Sequence, residues 1–177
     1  DSLPKDKDIW IFGYGSLMWN PGFDFAERIE AFMPGYQRSF CVYSHRYRGT
    51  PEKPGLVLGL DQGAEGCHGV AFRTTPDQTY NAMDYLWDRE MVTGVYEPTE
   101  TLVEIFGKEL MCHTFVADRD HPQYAGNLPD GEKLELIRTG VGSAGPNPEY
   151  LFSTVDQLDA MGIEDDALHR LARLLKE

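Results

Sequence analysis

The order of strand-like and helix-like segments is the feature that most restricts the fold of this chain. Apolar runs rich in β-branched and aromatic residues alternate with Gly- and Pro-containing turns over the first two-thirds, and helical spacing dominates the last third. Strands first and helices later predict an α+β fold with a curved or closed antiparallel sheet. The predicted strands are Asp8–Gly13, Arg28–Met33, Tyr36–Ser44, Leu56–Asp61, Cys67–Arg73, Thr101–Phe106 and Glu109–Ala117, with a hairpin signal at Gly107–Lys108.

Capping residues and helical periodicity predict four helices. Thr75 as the cap, Pro76 at the first helical position and Gln78 three residues after the cap predict a helix that runs to about Met91 and stops near Gly94. The other predicted helices cover Gly131–Thr139, Asn147–Met161 with Asn147 as its cap, and Glu164–Lys176.

Length and charge restrict the domain organisation and the partners. A chain of 177 residues suits one domain, which we place at residues 8–177 behind a polar extension of residues 1–7. Sixteen basic against 29 acidic residues give a net charge of −13, which repels nucleic-acid phosphates and anionic membranes. Three widely spaced cysteines without a CxxC pair are typical of reduced thiols and predict a cytoplasmic protein. They are Cys41, Cys67 and Cys112.

A strand-to-turn segment near the start combines apolar residues with two glycines. The segment is Ile11-Phe12-Gly13-Tyr14-Gly15-Ser16-Leu17. Glycine permits positive φ and close approach of the backbone, so successive N–H groups can converge on an anion. The length does not suit a Walker loop, and GxGxxG is not formed. By itself the segment also fits an ordinary turn that ends a strand.

Glu90 is the candidate acid/base residue. Leu86 and Met83 lie four and seven residues before it, which places the three on one helix face. Tyr80 and Met83 make this face apolar, so Glu90 should point inward near the end of a core helix, where apolar surroundings raise the pKa of a carboxyl. The alternative is a structural Glu paired with Arg89 or another cation. Two aspartates fall on other faces and should be solvated: Asp84 and Asp88.

Two later segments have both a functional and a structural interpretation. A loop-like stretch from Arg38 to Lys53 concentrates positive charge in an acidic protein, which favours either a cationic rim for a carboxylate ligand or a solvated connection. Its basic residues are Arg38, Arg46, Arg48 and Lys53. The run of small residues from Gly140 to Leu151 can lie close to a ligand or serve as a flexible joint.

The sequence contains no pattern for a metal site or a nucleophilic Ser. Cys67-His68 and Cys112-His113 are adjacent on predicted strands, so the members of each pair should point to opposite faces. Ser16 lies in Gly-Tyr-Gly-Ser-Leu, which is not the G-x-S-x-G elbow. We therefore expect no metal and no cofactor.

Four segments together resemble the motifs of the ChaC family of γ-glutamylcyclotransferases, in the family's order and over nearly the whole chain. They are FGYGSL (Phe12–Leu17), RGTPEKPG (Arg48–Gly55), YLWDRE (Tyr85–Glu90) followed by Gly94 and Tyr96, and GSAGPNPEYL (Gly142–Leu151). The resemblance implies a small mixed or antiparallel β-barrel with flanking helices. It also implies a catalytic role for Glu90 and a γ-glutamyl group held by the turn Ile11–Ser16. Val95 departs from the family, since many members have a second glycine before the tyrosine.

The activity implied by the resemblance is cleavage of glutathione into 5-oxo-L-proline and L-cysteinylglycine. The substrate's own α-amine attacks the γ-carbonyl carbon, so the enzyme needs no nucleophile of its own. Glu90 would transfer the proton, the Tyr14–Leu17 backbone would bind the α-carboxylate, Arg48 would lie near the glycine end and Tyr150 would donate near the reacting groups. Two alternatives stay open, a cyclotransferase for another γ-glutamyl amine or dipeptide and a non-catalytic regulatory or binding module of the same fold.

Overall fold

The computed structural model describes residues 6–177; residues 1–5 of the predicted N-terminal extension lie outside the described part. The strands are β1 (Ile9–Gly13), β2 (Glu27–Met33), β3 (Tyr36–Ser44), β4 (Gly55–Gln62), β5 (Cys67–Thr74), β6 (Tyr96–Ile105), β7 (Lys108–Ala117), β8 (Val141–Gly142) and β9 (Gly145–Pro146). The helices are α1 (Pro76–Glu90), α2 (Asp130–Thr139), α3 (Asn147–Ala160) and α4 (Asp166–Lys176), and a short 3₁₀ helix covers Ser16–Met18.

The chain forms two compact units. The first contains the described residues up to Arg38 together with Leu60–Val116, and the second contains Ser39–Gly59 and Ala117–Glu177. Strands β3 and β4 pair with each other, and the chain passes from one unit to the other within each of them.

The first unit is built on a closed five-stranded barrel in the order β1-β5-β2-β6-β7. Strand β5 is antiparallel to β1 and β2, and β2 is antiparallel to β6. The barrel closes where β7 pairs parallel to β1, with Trp10 opposite Cys112. Its core includes Phe12, Met33 and Val103, each at most 1% exposed. The prediction of a closed, mixed or largely antiparallel sheet with helices is confirmed.

The second unit contains α2, α3 and α4, which contact one another. Their buried apolar residues follow helical spacing, as Leu134 and Ile137 do on α2 and Leu151, Val155 and Leu158 on α3. An exposed ion pair of 2.8 Å between Arg170 Nε and Asp130 Oδ2 joins α4 to α2. Inside the unit, the side chain of Asn147 binds both backbone groups of Leu56 (Oδ1 to N 2.7 Å, Nδ2 to O 2.9 Å).

Two predictions of local structure were wrong. The β6–β7 turn lies at Phe106–Gly107, one residue before the predicted Gly107–Lys108, and both residues have positive φ (52° and 73°). The helix cap of α3 is Pro146, and Asn147 is its first helical residue. The Gly140–Leu151 run, for which a ligand contact and a flexible joint both stayed open, forms a small hairpin followed by the start of α3.

Candidate active site

Glu90 is the last residue of α1, and its side chain is only 21% exposed. The helix begins as the capping pattern predicts, with Thr75 N donating to Gln78 Oε1 over 3.1 Å. Its buried residues are Thr79, Ala82 and Leu86, and Leu86 lies one turn before Glu90. Burial raises the pKa of the Glu90 carboxyl above its ordinary value. The inward placement of Glu90 near the end of a core helix is therefore confirmed.

The apolar face of α1 differs from the prediction in one residue. Tyr80 is 76% exposed and belongs to the solvent face, since it lies on the side of the helix opposite Ala82. Met83 is half-buried, so it still contributes to the inner side. Asp84 and Asp88 are exposed, as expected.

Arg89 connects the end of α1 to the turn that follows β1. Its Nη2 donates to Ser16 Oγ over 2.6 Å, and its Nη1 donates to the carbonyl oxygen of Asn20 over 2.7 Å. Its Nε lies 3.7 Å from Glu90 Oε1, and this positive charge lowers the pKa of Glu90, which opposes the effect of burial. Sequence reasoning considered Arg89 only as an ion-pair partner, because its bonds to residues about 70 positions away are not visible in the local pattern.

The turn after β1 is a strand end followed directly by the 3₁₀ helix Ser16–Met18. Gly15 is the N-cap, and its φ of −131° lies outside the positive region that glycine permits. Close approach is what the structure does show: a Cβ on Gly13 would lie 3.2 Å from Leu17 Cβ. Gly69 on β5 faces the same place, since its Cβ would lie 2.4 Å from the carbonyl oxygen of Gly13. Ile11 and Phe12 are core residues of β1.

Arg38 is not part of a loop, which corrects its assignment to the cationic rim. It lies on β3, and the residue is only 6% exposed. Its Nε donates to the carbonyl oxygen of Tyr14, and its Nη2 donates to the carbonyl oxygen of His68. The alternation of β3 would have placed residue 38 on the same face as the apolar Phe40, and this was the signal that its basic charge obscured.

Arg48 lies in the second unit, in the connection between β3 and β4. Its Nη1 donates to the carbonyl oxygen of Pro146 over 2.9 Å, and its guanidinium carbon lies 5.6 Å from the centre of the Tyr150 ring. Its backbone N–H donates to Ser44 Oγ over 3.0 Å. Glu149 Oε2 is 3.9 Å from Nη1, at the limit of an ion pair.

The RGTPEKPG and GSAGPNPEYL segments pack against each other within the second unit. A Cβ on Gly140 would lie 2.5 Å from the carbonyl oxygen of Arg48, and one on Gly142 would lie 2.4 Å from that of Arg46. The small residues therefore allow close contact between the two backbones. Tyr150 Oη accepts a hydrogen bond of 3.2 Å from Leu58 N.

The cysteines and the possible metal ligands were the other candidate groups. The three cysteines are free and buried, and burial raises the pKa of Cys112 to about 12. Among residues 6–177, no group of three His, Cys, Asp or Glu side chains has the geometry to hold a metal ion. No helix in that same part of the chain is long and apolar enough to cross a membrane.

Known proteins resemble this chain over nearly its whole length. Residues 9–177 match the model of a family described as ChaC-like protein. A relative from Escherichia coli (strain K12), named glutathione-specific γ-glutamylcyclotransferase, is 36% identical over 175 residues, which cover 98% of this chain and 75% of the relative. A human relative, named glutathione-specific γ-glutamylcyclotransferase 1, is 33% identical over 168 residues, which cover 93% and 76%.

A solved structure has the same fold. The crystal structure of a γ-glutamyl cyclotransferase specific to glutathione from yeast matches with a TM-score of 0.85, at 24% identity and over 96% of each chain. At that identity the likeness concerns the fold alone. The match to the family model over residues 9–177 and the identity to the E. coli relative show that the chain belongs to the ChaC-like family.

Proposed function

We propose that this chain is a γ-glutamylcyclotransferase that degrades glutathione to 5-oxo-L-proline and L-cysteinylglycine. The observation that carries the proposal is the position of Glu90. It is a largely buried carboxylate at the end of α1, and its neighbour Arg89 is hydrogen-bonded to the FGYGSL turn. The names of the E. coli and human relatives supply the substrate, since both are called glutathione-specific.

The reaction needs only correct positioning and one proton carrier. The neutral α-amine of the γ-glutamyl group attacks the γ-carbonyl carbon, a C–N bond forms, and the C–N bond to the cysteine nitrogen breaks. No water is consumed, because the substrate rearranges into its two products. Holding the substrate in a folded conformation brings the two reacting groups together, and the gain in effective concentration lowers the barrier.

Glu90 is the group that transfers the proton in this proposal. As a carboxylate it accepts a proton from the attacking amine, and as a carboxylic acid it returns the proton to the leaving nitrogen. Both roles are served when the pKa of the carboxyl is raised towards neutral pH. Burial shifts the pKa of Glu90 in that direction, with the charge of Arg89 as a partial opposing effect.

The α-carboxylate of the substrate is assigned to the turn from Tyr14 to Leu17. The N–H groups of Gly15, Ser16 and Leu17 open the 3₁₀ helix, where a helix has no carbonyl of its own to offer them. Such successive N–H groups suit an anion. The same proposal includes Arg48 at the glycine end of the substrate and Tyr150 near the reacting groups. It also includes a cytoplasmic location, which suits three free cysteines.

Replacement of Glu90 by Gln tests the proposal. Glu90→Gln keeps the shape of the side chain and removes the proton transfer, so release of 5-oxoproline from glutathione should fall by about 10²–10⁴-fold. Asp88→Asn is the matched control, because Asp88 is an exposed carboxylate on the same helix and its loss should leave the rate within about twofold. Turnover near that of the wild type in a folded Glu90→Gln variant would rule out the role of Glu90.

A further inference from the structure

The backbone of the turn after β1 is held by hydrogen bonds to three successive carbonyl oxygens. The carbonyl of Gly15 accepts from Met18 N over 2.9 Å, and that of Ser16 accepts from Asn20 N over 2.8 Å. The third, the carbonyl of Tyr14, accepts from the side chain of Arg38. The first two bonds belong to the turn itself, whereas the third comes from β3.

A bond to a carbonyl oxygen also sets the direction of the next N–H group. In a trans peptide the C=O and the following N–H lie in one plane and point in opposite directions, and no peptide bond in the described chain is cis. The bond from Arg38 to the Tyr14 carbonyl therefore directs the Gly15 N–H away from Arg38. By the same rule, the bond to the Gly15 carbonyl sets the direction of the Ser16 N–H, and the bond to the Ser16 carbonyl sets that of the Leu17 N–H.

Arg38 is itself held firmly. The residue is 6% exposed, its second donor, Nη2, binds the carbonyl oxygen of His68 on β5, and Met18 Sδ lies 3.9 Å from the same nitrogen. The next residue, Gly69, is the one whose missing side chain admits the Gly13 carbonyl. A planar guanidinium with donors at separate nitrogens suits two carbonyls from two segments, and a lysine ammonium cannot reproduce that geometry.

We propose that Arg38 is a positioning residue for substrate binding: by holding the Tyr14 carbonyl from behind, it orients the Gly15 N–H towards the α-carboxylate of the γ-glutamyl group. This inference rests on the proposed function, because it assigns that carboxylate to the turn. Arg38 acts through the peptide group and does not touch the substrate. It also places a full positive charge one peptide group away from the anion, in a protein whose net charge is −13.

The experiment compares binding and turnover in Arg38→Lys, Arg38→Met and the wild type. Arg38→Lys keeps the charge but not both donors, so the Kd for 5-oxoproline, measured by calorimetry, should rise about tenfold and KM for glutathione should rise with it. The kcat at saturating glutathione should change less than KM, because Arg38 is remote from the proton transfer. Arg38→Met, which lacks charge and donors, should bind more weakly still.

Arg28 on β2, a second arginine that binds a backbone carbonyl close to the turn, provides the matched control. Arg28 Nη2 donates to the carbonyl oxygen of Met18 over 3.2 Å, and the N–H that follows this carbonyl lies beyond the proposed cradle. Arg28→Lys should therefore leave the Kd for 5-oxoproline within about twofold. If Arg38→Lys folds and binds 5-oxoproline as tightly as the wild type, the positioning role is wrong.

A measurement on the wild type covers the case in which both Arg38 variants fail to fold. In a crystal of the wild type soaked with 5-oxoproline, a carboxylate oxygen should lie within about 3.2 Å of Gly15 N, on the side opposite Arg38. A carboxylate bound elsewhere, in a protein that turns over glutathione, would overturn this inference and leave the proposed activity intact. No release of 5-oxoproline by the wild type would instead overturn the proposed activity.

Discussion

At the scale of single residues, the pKa of Glu90 is set by two opposing effects. Burial penalises the carboxylate and raises the pKa, and it is the larger effect. The guanidinium of Arg89, with its Nε 3.7 Å from Glu90 Oε1, stabilises the carboxylate and lowers the pKa. A carboxyl that must both accept and return a proton benefits from such a balance, because either effect alone would favour one protonation state.

Removal of the Arg89 charge should move the pH profile in one direction. In Arg89→Met the opposing charge is gone, so the pKa of Glu90 rises further. Glu90 accepts a proton only as a carboxylate, so the acid limb of kcat/KM should move to higher pH. The measurement is kcat/KM for glutathione between about pH 4 and pH 9.

The loss of another arginine provides the control for this pH profile. Arg170→Met removes an arginine that is ion-paired on the surface of the second unit. The acid limb of kcat/KM in this variant should match that of the wild type. An acid limb that stays in place or moves down in Arg89→Met contradicts the assignment. A lower plateau alone would reflect the lost bond to Ser16.

The sequence predicts residues of the site when their spacing alone carries the information. Glu90 was found because Leu86 lies one helical turn before it, and that relation survives in the structure. Arg38 was missed as a buried residue because its charge suggests solvent, whereas the carbonyls of Tyr14 and His68 make its burial favourable. Those partners lie 24 and 30 residues away, so no local pattern reveals them.

At the scale of elements, His169 joins the end of α3 to the start of α4. Its Nε2 lies 2.6 Å from Asp159 Oδ1, and its Nδ1 lies 2.7 Å from the carbonyl oxygen of Asp165. The hydrogen bond to Asp159 raises the pKa of His169 above its ordinary value. The proton therefore binds His169 more tightly in the folded state than in the unfolded state.

The His169 pair should make the stability of the protein depend on pH. Because the folded pKa is the higher one, the stabilisation is complete below the ordinary value near 6.5 and is lost as the pH rises through the folded pKa. His169→Gln should lower Tm by about one to three degrees at pH 5.5, and by less at pH 9, because the pair is partly exposed.

The checks on this prediction are thermal unfolding curves of both proteins across that pH range. Ser153, exposed on α3, offers the control Ser153→Ala, which changes no titratable group. A Tm difference for His169→Gln that is constant with pH, or larger at pH 9, would contradict the assignment.

The elements that the sequence predicts best are those with local signals. The capping pattern at Thr75 places the start of α1 correctly, and β3 has the predicted bounds. Strand β6 begins at Tyr96, five residues before the predicted Thr101, because its first half is largely exposed and lacks a clear apolar alternation. The Phe106–Gly107 turn was misplaced because an aromatic residue at positive φ runs against the usual preference.

At the scale of the whole molecule, the net charge of −13 opposes the proposed substrate. Glutathione carries one net negative charge at neutral pH, from two carboxylates and one ammonium. Like charges slow association, and added salt screens this repulsion. A local cation at the glycine end would offset it, and Arg48 is the proposed cation. Its hydrogen bond to Pro146 and its contact with Tyr150 equally suit a role in holding the loop.

Substrate choice and salt together separate the two roles of Arg48. If Arg48 binds the glycine carboxylate, Arg48→Ala should lower kcat/KM for glutathione about tenfold, mainly through KM, and leave a γ-glutamyl methylamide without that carboxylate within about twofold. The Arg48→Ala protein would then lack the local attraction, and only the repulsion between its net negative charge and glutathione would remain. Its kcat/KM for glutathione should therefore rise about twofold between about 10 and about 200 mM salt, and that for the methylamide should not change. Arg46→Ala, in the same connection but exposed, should resemble the wild type. An equal loss for both substrates in Arg48→Ala would mean that Arg48 holds the loop through Pro146 and Tyr150 and does not select the substrate.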